Sequence, residues 1–281
     1  MKFTEAQIRA YHSQGFLVVE NRFAGAELDR LRTDLPAALA EDSPRRVLER
    51  DGVTVRGVHG QHVDFDSFGR LVRHPRLVEP VRQLLDSSVY IYQFKINVKA
   101  SLTGEAWPWH QDFIFWERED GMPRAALVTA LVMLDDATEF NGPLMVLAGS
   151  HAEGRIPVEP VAPAAAGSAD GPAWVKNLTV DLKYALPHRL VRELALRYPI
   201  TSVKAPAGSV LFFHPNLVHG SADNMSARDR RFILVTYSRM DNTLRPVPSP
   251  RPEFLSNRNP IAVEPAHDAV LLDGTTGRPS P

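Results

Sequence analysis

The chain contains no cysteine. Disulfide scaffolds, thiolate metal sites and iron–sulfur clusters are thereby excluded, and any bound metal must be held by nitrogen and oxygen. Nor is there an excess of one charge: 32 Lys and Arg stand against 33 Asp and Glu, for a formal net charge of -1, with the signs interspersed. Without a basic stripe to neutralise phosphates, no nucleic-acid partner is expected. No apolar run approaches the roughly 20 residues needed to span a bilayer. The opening Met1-Lys2-Phe3-Thr4-Glu5 leads into a polar amphipathic helix rather than an apolar signal core. The expectation is therefore a cytoplasmic protein with no membrane partner.

What is present suits one β-rich domain, since 281 residues can close a single large barrel or sandwich. Thr4 and Gln7 fit a capping box, with Gly15 as the stop of the helix that follows. Phe16 to Glu20 is a β-branched run read as a strand. From about Gly25, Leu28, Leu31, Leu35 and Leu39 recur at helical spacing, and Pro75 opens a further helix through Val78, Val81, Leu84 and Leu85. The stretch from Arg45 to about Phe68 is polar, and His59 and His62 within it are read as loop or edge-strand residues. Ser88 to Lys99 is the longest strand signal, with Val89, Ile91, Gln93, Lys95, Asn97 and Lys99 on one face and Tyr90, Tyr92, Phe94, Ile96 and Val98 on the other. Strands are further expected at Ala126 to Leu134, Leu144 to Leu147, Val210 to Phe213 and Arg231 to Ser238, and a helix from about Pro187 to Arg197. Short strands joined by Gly/Pro turns predict a mainly β protein with flanking helices, an antiparallel jelly roll. The expected division is N-terminal helices in 1–87 packed on a jelly-roll core 88–240, a lid loop 152–173 rich in Pro, Ala and Gly, and a tail 241–281.

Chemistry concentrates in Trp107-Pro108-Trp109-His110-Gln111-Asp112-Phe113. In an extended segment, side chains two apart leave the same face, so His110 and Asp112 can address one point. One imidazole and one carboxylate form part of a 2-His-1-carboxylate triad, which holds Fe(II) on one side and leaves positions open for reactants. Taken alone the pair is also what a surface or hydrogen-bonded His-x-Asp looks like. His219 is the candidate for the second histidine. Arg230, eleven positions later across a turn, can return antiparallel beside the site, where its guanidinium suits a carboxylate. Ser221 can add a hydroxyl. Arg230 and Ser221 together are what a 2-oxoglutarate site requires.

The ordered series Trp109-His110-Gln111-Asp112-Phe113, Trp116, Asp120-Gly121-Met122-Pro123, Asn141-Gly142-Pro143-Leu144, Gly149-Ser150-His151 and His219-Gly220-Ser221 with Arg230 resembles the phytanoyl-CoA dioxygenase family. It is most similar to the bacterial amino-acid and natural-product hydroxylases of that family, ectoine hydroxylase among them. The resemblance extends to near Arg251. It implies a double-stranded β-helix of cupin-like form, with Fe(II) on His110, Asp112 and His219 and the distal carboxylate of 2-oxoglutarate on Arg230 and Ser221. Gln93 and Asn97 are implied as further polar contacts, and O2 as the oxidant that yields succinate and CO2. Halogenating relatives replace the carboxylate ligand with a small residue. Asp112 is present, so hydroxylation is the implied outcome.

For the substrate, Trp116 and Phe113 are candidate pocket walls and Arg251 a candidate for a substrate carboxylate, with Lys95 and Lys99 as weaker ones. Three functions are distinguished: hydroxylation of a small polar amino-acid-like or natural-product molecule, the same chemistry on a terpenoid or acyl thioester, and a non-redox jelly-roll metalloprotein. The first is favoured by Arg251, and the third is disfavoured by a carboxylate clamp it would not need. The partner expected is a small molecule, with the chain a monomer or homodimer.

Overall fold

The computed structural model describes residues 2–160, 174 and 178–273. Thr4 caps helix α1 (Glu5–Gln14) through the capping box with Gln7, and Gly15 ends it at φ 78°, its N–H donating to Tyr11 O at 2.7 Å. Helices α1, α2 (Gly25–Ala40) and α4 (Pro75–Leu85) carry the apolar stripes read from the sequence, and a short α3 (Asp66–Leu71) lies between the last two. His74 caps α4, its Nδ1 accepting from Arg76 N at 3.2 Å, and Pro75 occupies the first turn, where a missing N–H costs nothing.

Eleven strands follow in chain order: β1 (Phe16–Val19), β2 (Arg46–Leu48), β3 (Val55–His59), β4 (Val89–Lys99), β5 (Trp107–His110), β6 (Leu127–Met133), β7 (Leu144–Leu147), β8 (Ile200–Val203), β9 (Val210–Phe213), β10 (His219–Ser221) and β11 (Arg230–Arg239). They form a seven-stranded sheet in the order β1-β9-β6-β11-β4-β3-β2 and a four-stranded sheet in the order β5-β10-β7-β8. The helices α5 (Phe113–Phe115) and α6 (His188–Ala195) complete the set used below.

The large sheet is apolar on both faces, and this sorts its residues. Ala130, Val132, Val210, Phe212, Ile233 and Val235 pack under the N-terminal helices, whereas Leu131, Met133, Leu211, Phe213, Phe232 and Leu234 meet Val146 and Val203 of the small sheet. Two faces buried means no polar alternation, which is why β6 reads as a continuous apolar run. The result is the jelly roll expected from the strand pattern.

Three corrections follow from the topology. The N-terminal stretch does more than supply helices, because β1, β2 and β3 form both edges of the large sheet. The polar text of 45–68 therefore hides two strands and a helix, since edge strands need no long apolar signature. Second, β4 does not keep one alternation. The register against β11 slips between Thr236↔Gln93 and Tyr237↔Ile91, a bulge that leaves Tyr92 unopposed and flips the phase. Phe94 and Ile96 stay under the helices, as do Val89 and Ile91, while Tyr90 and Tyr92 join a separate aromatic cluster with Trp116. Third, the C-terminal segment is no loose tail: Asn257 N donates to Tyr92 O at 3.0 Å and Val263 N to Val89 O at 2.8 Å, extending the sheet past the end of β3. The expected lid loop falls mostly on residues 161–173, outside the described residues.

Candidate metal centre and its pocket

His110 ends β5 and His219 begins β10, and the two are directly opposed in the small sheet. Their rings lie 4.2 Å apart between centroids. Each imidazole is oriented by its own backbone: His110 Nδ1 lies 2.7 Å from Pro108 O and His219 Nδ1 2.9 Å from Leu217 O. With the Nδ1–H donating to a carbonyl, Nε2 carries the free lone pair and faces the centre. The close passage of β10 over β5 depends on Gly220, where a Cβ would lie 2.9 Å from Trp107 O.

Asp112 reaches the same point by a different route from the one spacing suggests. The strand stops at His110, and Asp112 sits in helical backbone (φ -68°, ψ -38°) at the start of α5. The corner between them is pinned by Gln111, whose buried amide donates to Asn216 O at 2.6 Å and Gly154 O at 2.9 Å and accepts from Ile156 N at 2.8 Å. One candidate ligand atom from each of His110, Asp112 and His219 falls within 4.8 Å of the others. His110 Nε2 is 3.8 Å from Asp112 Oδ1. Burial, then the neighbouring His219, depresses the His110 imidazole to about 3, so it stays neutral. Burial opposes the charge of Asp112, but Lys95 first and the two histidines next hold its pKa below the usual carboxylate value. Two neutral imidazoles and one carboxylate are the donor set for a divalent metal with open positions.

Arg230 is 3 % exposed and lies on β11 opposite Lys99, in the large sheet, so it is not the hairpin partner of His219 that chain separation suggests. It comes near Ser221 instead through the turn at Gly142: Arg230 Nη1 donates to Gly142 O, and Gly142 (φ 63°) lies against the backbone of Ala222 and Asp223. Two buried polar atoms here have no hydrogen-bond partner, Arg230 Nε and Ser221 Oγ. Burial depresses the Arg230 pKa to about 9. An unpaired guanidinium and an orphan hydroxyl, both buried, are what an anionic carboxylate would complete.

The pocket beside the triad encloses about 440 Å³ of empty space, part of it open to solvent, and Gln93, Lys95, Asn97, His59 and Arg251 supply its polar lining. Trp107, Phe115, Trp116, Leu178 and Leu182 form the apolar wall. Trp116 is thus where the sequence reading put it. Phe113 is not: it packs into the aromatic cluster, and Phe115 faces the cavity. Gln93 donates to Leu255 O at 2.7 Å. Lys95 forms no hydrogen bond or ion pair with any described residue. Arg251 is buried rather than swinging from a surface tail, its Nε 2.8 Å from Asp120 Oδ1 and its Nη2 2.5 Å from Oδ2. Tyr92 OH donates to the same Asp120 Oδ2.

Sequence reasoning passed over His59, Asp120 and Gln111. His59 ends β3 with its side chain in the cavity, kept neutral by burial and by the charges of Lys95 and Arg251. A signal existed for Asp120, in the Asp120-Gly121-Met122-Pro123 string, and for Gln111, in Trp109-His110-Gln111-Asp112-Phe113. Among the described residues, no helix is long and apolar enough to cross a membrane.

A family profile described as Phytanoyl-CoA dioxygenase (PhyH) matches residues 11–232. The chain is 39 % identical to L-proline trans-4-hydroxylase of Streptomyces griseoviridis, covering 93 % of this chain and 95 % of the relative. It is 34 % identical to ectoine dioxygenase of Bordetella bronchiseptica, covering 97 % and 90 %. Among solved structures, EctD from S. alaskensis with 2-oxoglutarate and 5-hydroxyectoine superposes with a TM-score of 0.79 at 28 % identity, over 94 % of this chain and 87 % of that one. The neutral His pair with its carboxylate and the jelly roll that carries them are thus those of an iron- and 2-oxoglutarate-dependent dioxygenase, and the chain belongs to the phytanoyl-CoA dioxygenase family.

Proposed function

We propose that this dioxygenase hydroxylates a small, ring-shaped amino acid or amino-acid-like molecule bearing a free carboxylate, L-proline being the first candidate. In this reading His110, Asp112 and His219 hold Fe(II), and Arg230 with Ser221 holds the distal carboxylate of 2-oxoglutarate. Gln93 and Asn97 supply further polar contacts. Iron and 2-oxoglutarate, when bound, supply the oxygen activation that cleaves an unactivated C–H bond and releases succinate and CO2. The chain's own part is to bind, orient and exclude water. Trp116 and Phe115 pack against the apolar face of the ring, while Lys95 and the free Nη1 of Arg251 receive the substrate carboxylate and so fix which C–H bond faces the metal.

The observation that carries this is Lys95. It is a cation in the pocket with no hydrogen bond or ion pair among the described residues, next to an apolar wall. Lys95 is half-buried and the carboxylate whose field it feels is that of Asp112, so an anionic group on the occupant gives its ammonium the direct partner it lacks among the described residues. A terpenoid would leave Lys95 without a direct partner, which argues against the hydrophobic alternative, and the unpartnered Arg230 Nε and Ser221 Oγ argue against a non-redox metalloprotein. The likeness to a proline hydroxylase supports the same choice. The acting unit in this reading is a cytoplasmic monomer or homodimer working on a free small molecule.

The test is product-coupled succinate formation with Fe(II), 2-oxoglutarate and ascorbate, comparing L-proline and ectoine with prolinamide and pyrrolidine. Turnover of the carboxylates and failure of the two analogues that lack a carboxylate is expected. Equal turnover of prolinamide, or turnover of neutral terpenoids alone, overturns the proposal.

A further inference from the structure

We infer that Asp120, backed by Tyr92, is a positioning residue that sets where the pocket arginine meets the substrate, so that one helical turn gauges the distance from metal to substrate carboxylate. The inference rests on the reading of Arg251 given above. Asp120 is 0 % exposed and closes the π-helical turn Trp116–Asp120, which continues directly from α5 and hence from Asp112. A single short helical segment therefore carries, in order, a metal ligand (Asp112), a pocket wall (Trp116) and the arginine anchor (Asp120). Helical segments are stiff, so the three side chains move together.

At the anchor, the Asp120 carboxylate grips Arg251 on two adjacent donors, Nε at 2.8 Å and Nη2 at 2.5 Å, the side-on geometry that fixes the plane of a guanidinium. Nη1 forms no hydrogen bond with any described residue, is not among the fully buried unpaired atoms, and belongs to a residue lining the cavity. The fork thus leaves a single aimed donor group. Tyr92 donates its hydroxyl to the same Oδ2 that Arg251 Nη2 meets, lies against Arg251 itself, and packs edge-on against Trp116, ring centroids 5.3 Å apart at 70°. The β4 bulge is what turns Tyr92 to this side, adjacent to Gln93 and three positions from Lys95 on the pocket strand. Arg258 reaches the Asp120 carbonyl at 3.3 Å, so the C-terminal segment closes over the same point. Asp120 also neutralises Arg251 locally. Arg251 therefore acts through direction rather than net charge.

The experiment measures L-proline binding by calorimetry to iron-loaded protein held anaerobically with 2-oxoglutarate, for the wild type, Asp120→Asn, Asp120→Glu, Tyr92→Phe and Arg251→Ala. Under air, the ratio of hydroxylated positions is then read for each. Asp120→Asn keeps the size but loses half of the fork, so the L-proline Kd is expected to rise tenfold or more at unchanged 2-oxoglutarate affinity, with additional hydroxylated positions. Asp120→Glu is expected to recover part of the affinity. Tyr92→Phe, which spares the ion pair and the fold, should move both readouts in the same direction by a smaller factor. A merely structural Asp120 would lower the melting temperature without moving the position of attack. If Arg251→Ala weakens binding but neither Asp120→Asn nor Tyr92→Phe changes Kd by more than twofold or alters the product ratio, the positioning role is refuted while the site reading stands. If Arg251→Ala leaves L-proline binding intact, or the wild type binds none, the reading of the site fails and this inference goes with it.

Discussion

Replacing Arg230 with methionine is expected to make the ligand-free protein more stable while spoiling its hold on 2-oxoglutarate. Arg230 is buried, its Nε has no partner, and the nearest acid, Asp135, is already engaged in a two-pronged pair with Arg231 at 2.7 and 2.8 Å. The guanidinium is therefore desolvated without compensation, and its pKa falls from 12.5 to about 9, which corresponds to a penalty of about 5 kcal/mol. At pH 7 the group is charged both folded and unfolded, so the whole penalty is present and does not vary with pH near neutrality. Against it stand the hydrogen bond to Gly142 O, about 1.5–3 kcal/mol, and the stacking of Arg230 over Phe232 at 4.0 Å, about 1 kcal/mol. Methionine fills a similar volume without charge, so a net gain of about 1–2 kcal/mol is expected, or about 2–3 °C in melting temperature. Meanwhile losing a charge-assisted contact of about 1.5–3 kcal/mol should weaken 2-oxoglutarate by roughly 10- to 150-fold. The assay is thermal unfolding of metal-free protein without 2-oxoglutarate, beside anaerobic titration of the Fe(II)–2-oxoglutarate charge-transfer band. An Arg230→Met protein that melts below the wild type without ligand, or that binds 2-oxoglutarate unchanged, refutes the argument that this arginine is held in reserve for an anion.

Lys95→Met should raise the KM for L-proline by about 10-fold or more through loss of a charge-assisted bond, leaving the 2-oxoglutarate charge-transfer band in place; an unchanged KM would remove Lys95 from substrate recognition. Stability should fall on acidification well before the carboxylates titrate. Burial holds His59 to about 3 and His62, His74 and His214 to about 4, against 6.5 unfolded, so the unfolded chain binds more protons between these values. Stability is thus complete above about pH 6.5 and is lost toward pH 4, by up to about 1.4 kcal/mol per pH unit for each histidine. A urea midpoint that stays flat from pH 7 to 5 would contradict this. Finally, Gln111→Ala leaves Asn216 O and Ile156 N without their partner at the corner between the ligands, and is expected to cost about 2–4 kcal/mol and to weaken Fe(II) binding; unaltered metal affinity would show that Asp112 does not need the corner.

The sequence by itself determined the elements whose signal is local. Capping at Thr4, the leucine stripe of α2, Pro75 at the start of α4 and the apolar runs of β6 and β9 are each set by neighbours a few residues away, so they could be read without the fold. The identity of the three candidate metal ligands was legible for a chemical reason: without cysteine, only histidine and carboxylate remain, and the chain has few places where they cluster among aromatics. What tertiary structure alone decided is how those groups meet. Asp112 joins His110 because the chain turns at a corner held by Gly154, Ile156 and Asn216, far away in sequence. Arg230 lies in the other sheet from His219, and the pairing of β11 with β4 placed it. Phe115 displaced Phe113 from the cavity because the strand gave way to a helix, which changes the period from two to about 3.6. Arg251 became a buried group paired with Asp120 only because Asp120 and a β4 bulge, 131 and about 159 residues before it, converge there. Periodicity records the face a side chain takes within its own element; a bulge, a corner or a long-range ion pair is set by contacts between elements, and no local pattern in the chain encodes it.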